Sequence, residues 1–171
     1  MTEVYFRSKP TPAEIHPASS VEDPDLRQML DYWHRLAGTR RMPARSEISP
    51  KEIGRSLRLV HIYEPVEGGA DFRVRLVGSS VFPFLDIDQT GKLVSENPDP
   101  GVRLRFSALL HHVLDTREPA RSLSLRITGS PMTDARTEGL WLPLGVEDRV
   151  QHILAQSSLR PITPGFAGKP A

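Results

Sequence analysis

The chain has 171 residues, of which 38% are hydrophobic and 25% charged, enough apolar material for one packed domain and too much for a disordered chain. Its 22 basic and 21 acidic residues nearly cancel, and a net charge of +1 gives no general attraction to nucleic acid or to an anionic membrane. The absence of cysteine excludes disulfides, thiolate catalysis and cysteine-ligated metals, and no apolar run approaches the ~18–20 residues that span a bilayer.

Residues 1–22 carry Pro10, Pro12 and Pro17 among scattered polar residues and read as irregular. The first ten residues contain no apolar core of a secretory signal, so a cytoplasmic location is expected. A helix is predicted over 24–37: Asp23 caps it, Pro24 suits its first position and Gly38 ends it. Leu26, Met29, Leu30, Trp33, Leu36 and Ala37 fall on one stripe at helical spacing. Ser49-Pro50-Lys51-Glu52 has the form of a capping box and predicts a short helix over 50–55.

The period then changes. Leu57 to Glu64 reads as a strand apolar on both faces, Glu67 to Ala70 as a turn, and Asp71 to Gly78 as an alternating strand. In that alternation Phe72, Val74 and Leu76 share one face and Arg73 and Arg75 the other. Residues 79–98 are broken by Pro83, Gly91 and Pro98 into short turns. A long helix is predicted over 102–116, with Val102, Phe106, Leu109, Leu110 and Val113 on its apolar side. Three strands follow, over 120–128 with Leu123, Leu125 and Ile127, over 136–144 with Leu140, Leu142 and Leu144, and over 149–156. Residues 160–171 hold three prolines and two glycines and read as a tail, leaving one domain over about 23–159. Runs of strands, rather than strand–helix alternation, predict an α+β fold with an antiparallel sheet.

This order is similar to that of the PAS fold. The segment Asp71-Phe72-Arg73-Val74-Arg75-Leu76-Val77-Gly78 resembles the second strand of a small bacterial PAS branch, of alphaproteobacterial type, long described only as a domain of unknown function. Arg40 to Arg45 (RRMPAR), Asp88-Gln89-Thr90-Gly91-Lys92 and Leu142-Pro143-Leu144 resemble three further motifs of that branch, in the same order. The resemblance covers about residues 25–157. It implies a five-stranded antiparallel sheet with helices over one face, an N-terminal helical extension and a ligand cavity between sheet and helices. It implies no particular chemistry, since a fold does not fix a function. Nothing but a short tail follows the last predicted strand, so output is expected through a separate protein, such as a histidine kinase, or through self-association.

The candidate ligand pocket comprises His61 with Phe72, Val74, Leu76, Phe106, Leu109, Leu123, Leu125, Leu140 and Leu142; its competing reading is a plain packed core. Met29, Leu30 and Trp33 are the candidate interaction residues, docking on the sheet or on a second copy in a homodimer. His61 alternates with Leu59 and Tyr63, and His152 with Val150 and Leu154, on strands that are neighbours in PAS topology. The two imidazoles are therefore placed to meet as a pH- or ligand-responsive pair, against a reading as two partly buried histidines bonded to backbone.

The cofactor is unknown. Adduct-forming flavin chemistry is excluded by the missing cysteine, and non-covalent flavin has no positive sign. For haem, His111 and His112 sit on the long helix, but its geometry turns both away from the apolar stripe and toward solvent. Asp86 to Gly91 opens like a calcium loop, yet position twelve is Asn97 instead of glutamate, so it reads as turn chemistry and no metal is expected. Arg40, Arg41, Arg45, Arg55 and Arg58 form the densest positive region, diluted by Glu47 and Glu52, and read as a solvated connector. No catalytic motif is present and no catalytic residue is assigned. The expectation is a non-enzymatic sensory module that binds a small ligand, a partner protein or both. A ligand-free interaction adaptor is the alternative and a small enzyme the weakest reading. Neither nucleic acid nor membrane is an expected partner.

Overall fold

A computed structural model describes residues 13–80, 88–126 and 135–161. Asp23 opens α1 (Pro24–Ala37) as the capping pattern predicts: its Oδ1 accepts the amides of Asp25 at 2.9 Å and Leu26 at 3.2 Å. α2 (Pro50–Ile53) is a single turn capped by Ser49, and residues 54–59 continue as a 3-10 turn that takes in the end of the expected helix and the first three residues, 57–59, of the expected strand. β2 (Val60–Val66) and β3 (Asp71–Val77) form the predicted hairpin. α3 (Pro100–Thr116) starts two residues earlier than its apolar stripe suggests, because Asp99 caps it. β4 (Ala120–Arg126), β5 (Ala135–Val146) and β6 (Arg149–Pro161) complete the chain order.

A strand also forms where the sequence reads as irregular. β1 (Glu14–Pro17) pairs antiparallel with β4, Ile15 opposite Ser122. It is four residues long and ends in proline, below what alternation can detect. The sheet is therefore six-stranded, in the order β1-β4-β5-β6-β2-β3, every pairing antiparallel. The five expected strands are its last five members, with β1 added at one edge.

Helical segments cover both faces: α3 takes the one expected and the N-terminal helical extension takes the other. Register puts Leu140, Leu142 and Leu144 of β5 on one face with Leu154, Gln156, Val60 and Ile62 of the neighbouring strands. α1 and the 40–59 segment pack on this side; Trp33 donates its indole N–H to the Pro143 carbonyl at 2.8 Å, and Gln156 reaches Ser56. The opposite face carries Trp141, Tyr63, His61, Phe72 and Val74, and α3 lies across it. Both faces of β5 are thus core, and every residue from Leu140 to Gly145 is buried.

Met29, Leu30 and Trp33 sit inside this monomer core at 4%, 7% and 3% exposure. With Leu26, burial of these side chains contributes on the order of 8 kcal/mol, so α1 is part of the domain and not a handle left free for a second copy. The start of α1 is also tied down by charge. Glu138 on β5 accepts the backbone amides of Glu22 and Asp23, each at 2.9 Å, and the Arg121 Nε at 2.6 Å. Arg121 and Glu138 are both buried, and Arg121 reaches Glu22 as well.

Candidate functional site

The face under α3 is built from aromatic rings. Tyr63 stacks on Trp141 with centroids 5.9 Å apart, and Phe106 of α3 meets both edge-on, at 6.1 Å from Tyr63 and 5.6 Å from Trp141. The Trp141 indole N–H donates to Ser122 Oγ at 2.8 Å, across to β4. Gly139 lies beside this bond, where an added Cβ would strike both Ser122 and Trp141.

Next to this cluster is a small, partly open chamber of about 20 Å³. His61, Tyr63, Val74 and Val77 form its sheet wall, Val102 and Phe106 its α3 wall, and Gln89, Val94 and Asn97 its third side. His61, Tyr63 and Gln89 bring buried polar groups to it, at 4%, 2% and 6% exposure. Burial pulls the His61 imidazole down to about 4 and raises the Tyr63 phenol above its ordinary range. Both are neutral at pH 7: an imidazole with one donor and one acceptor nitrogen beside an intact phenol.

Only some of the sequence-predicted pocket residues meet here. Phe72, Val74, Phe106, Leu109 and His61 face the space between sheet and α3. Leu140, Leu142, Leu123 and Leu76 lie on the other face, toward α1. A central strand buried on both sides has no alternation to show which side faces which helix, and that misplaces Leu140 and Leu142. For Leu76 the cause is a β-bulge: Ile62 faces Leu76 but Tyr63 faces Val74, so Arg75 is an extra residue and Val77, not Leu76, joins the inner face. The Leu125 side chain and Ile127 lie outside the described residues. Tyr63, Trp141 and Gln89 join the site without a sequence signal; the first two sit on buried central strands, and Gln89 hides within a turn motif.

The histidine pair does not form. His61 faces Ala155 and His152 faces Leu144, on opposite sides of the sheet. His111 is not solvated either: its ring packs edge-on against Phe72 at 5.0 Å, with Nε2 at 3.0 Å from the Gly69 carbonyl. Contact with the 67–69 turn half-buries a residue that the apolar stripe alone points outward. His112 is exposed, as expected. Of the calcium-like loop, residues 86 and 87 lie outside the described residues; Asp88 accepts the Thr90 amide at 2.9 Å in a local turn. No group of side chains among the described residues is arranged to hold a metal ion, and no described helix is long and apolar enough to cross a membrane.

A family model described as a PAS domain matches residues 21–155. The chain belongs to the PAS domain family. No curated protein matches it. Among solved structures it is similar to one titled as an RNA-binding Light-Oxygen-Voltage receptor, at 14% identity and a TM-score of 0.46. That match covers 88% of this chain but 39% of the other, a likeness too distant to carry any argument.

In this PAS domain the family-like motifs brace the fold. Within RRMPAR, Met42 and Pro43 are buried and the Pro43 carbonyl takes the Gly145 amide at 2.9 Å. Arg40 grips Glu47 through two nitrogens at 2.7 and 2.9 Å, which with the Ala44 amide holds that carboxyl down to about 2. Arg41 reaches Glu118 and Asp148. The 88–92 turn closes the free edge of β3: Val74 donates to the Lys92 carbonyl at 2.9 Å, and Gly91 donates to the Val74 carbonyl at 2.8 Å. Pro143 is tolerated in a central strand because β4 pairs only as far as Trp141, so its missing N–H faces α1 and its carbonyl takes Trp33.

Proposed function

We propose that this PAS domain is a non-enzymatic sensory module in which a small molecule with a hydrogen-bonding end enters between the sheet and α3, and a separate protein such as a histidine kinase reads the change. The observation that supports this best is the placement of His61, Tyr63 and Gln89, three buried polar side chains around one chamber in an otherwise apolar and aromatic interior. Two neutral hydrogen-bonding rings in a mostly apolar site suit recognition of an uncharged polar group. About 20 Å³ holds roughly one water molecule. It speaks for a ligand of a few heavy atoms, or for one that displaces Gln89 and Asn97 on entry, and gives no support to haem or flavin. The His61 and Tyr63 shifts lend a catalytic reading no support, because burial alone causes them.

The ligand-free adaptor is the second reading, favoured by how closely the interior is packed. Native mass spectrometry of the protein purified from its own host separates the two. The sensory reading expects a bound mass that disappears in Tyr63→Phe or His61→Leu, with no haem or flavin absorbance. Bare protein under conditions that retain ligands in other PAS domains refutes it and leaves the adaptor. The same spectrum tests the homodimer, which needs a surface other than Met29, Leu30 and Trp33.

A further inference from the structure

The lining of the chamber under α3 is of two kinds. His61 and Tyr63 stand two residues apart on one face of β2, and Gln89 and Asn97 come from the segment ahead of α3. Val74, Val77, Val94, Val102 and Phe106 make the rest of the wall. No carboxylate, ammonium or guanidinium group is among these lining residues. Asn97 is partly committed, since its Oδ1 takes the Asp99 amide at 3.0 Å. The other three polar side chains are not. Among the described residues no hydrogen bond reaches the His61 ring, the Tyr63 hydroxyl or the Gln89 amide, although all three residues are more than nine-tenths buried. Buried polar groups are ordinarily paired, so three unmet ones around a single space mark it as a place for a bonding guest.

Volume and charge together select the head of that guest. About 20 Å³ is the space of roughly one water molecule, so the head is a single heavy atom. A carboxylate or a carboxamide brings three. A charged head also gives up its hydration with no opposite charge on the wall to replace it. A hydroxyl meets both limits, with one donor and two acceptor sites on one oxygen. Water offers the same bonds but covers none of the valine side. An alkyl group on the oxygen covers it, and each CH2 buried there raises affinity roughly fourfold.

We propose that the chamber is a hydroxyl site whose ligand is a short, uncharged primary alcohol. Tyr63 and Gln89 donate to its oxygen, and its O–H donates to the bare nitrogen of the neutral His61 imidazole. The carbon chain lies against Val74, Val77, Val94 and Val102. This rests on the ligand half of the sensory reading and narrows it to one chemical class; the partner protein takes no part in it.

The test titrates the full chain at pH 7, followed by NMR, with methanol, ethanol, ethylammonium, acetamide and acetate. Ethanol is expected to give saturable shifts centred on Tyr63, Gln89, Val94 and Val102. Its affinity is expected to exceed that of methanol about fourfold, and that of ethylammonium, acetamide and acetate at least about tenfold. Tyr63→Phe keeps the ring and removes only the hydroxyl; it and Gln89→Leu are each expected to weaken ethanol about tenfold. The comparison among probes on the wild-type chain decides the matter even where a variant fails to fold. Shifts that do not saturate, saturation centred elsewhere, or equal affinity for ethylammonium or acetate overturns the inference, as does ethanol binding that both folded variants leave unchanged. A host-derived ligand of another class, held under α3 and lost in Tyr63→Phe, overturns it and leaves the sensory reading intact. Protein that comes bare from its host and binds none of the five probes sinks both.

Discussion

Replacing Glu138 by alanine tests what holds α1 and β1 to the sheet. The carboxylate serves three donors at once: the amides of Glu22 and Asp23, each at 2.9 Å, and Arg121 Nε at 2.6 Å. Its loss orphans two backbone N–H groups at the helix entry and strips a guanidinium, whose side chain is 9% exposed, of its closest partner. Breaking one side of a buried pair costs about 3–5 kcal/mol. Arg121→Met removes the other side, but Glu138 keeps both amide bonds, so its cost is lower, about 1–3 kcal/mol. With a urea m-value of ~2 kcal/mol/M, the midpoint falls by roughly 2 M for Glu138→Ala and about half that for Arg121→Met. Equilibrium urea unfolding followed by tryptophan fluorescence reads both, because Trp33 and Trp141 lie on opposite faces of the same sheet. If Arg121→Met proves the more damaging, or both fall within about 0.5 kcal/mol of wild type, the anchoring argument is refuted.

His61 makes stability depend on pH. Its folded-state value of about 4 lies below the ordinary value of 6.5, so the unfolded chain binds the proton preferentially. Stability from this group is intact above pH 6.5 and is lost as pH falls toward 4, by about 3 kcal/mol in all. His61→Leu should flatten that region of the curve relative to wild type; an unchanged difference between pH 7 and 4 would show that burial does not set the imidazole. Gly78 ends the family-like strand with its Cα against the backbone of Arg58 and Leu59, where a Cβ has no room. Gly78→Ala is expected to cost about 1–3 kcal/mol by thermal unfolding, and a neutral effect would mean that this close approach is absent.

The helices are legible because their ends are written in local chemistry. Asp23-Pro24 and Ser49-Pro50 are capping signals that act within one turn and need no distant partner. Asp99-Pro100 carries the same signal ahead of α3, two residues upstream of the apolar stripe that places its start. The paired strands after β2 are equally plain, since alternation and turn residues are local properties. The site is less so. Arg75 reads as one more alternating polar residue, yet as the extra residue of a bulge it turns Leu76 away from the chamber and Val77 toward it. Leu140, Trp141 and Leu142 form an unbroken apolar run, which says that β5 is central and nothing about which side meets α3.

What the residues determine alone is therefore most of the elements after Asp23, their order and the family to which their motifs belong; β1 is not among them. Tertiary contact decides the rest. Trp33 finds the Pro143 carbonyl 110 positions away, Glu138 gathers amides from 115 and 116 positions away, and β2 pairs with β6 over Val60–Tyr63. Each outcome depends on which backbone groups arrive opposite one another once the sheet closes. That pairing is a property of register between distant segments, and no local pattern encodes it.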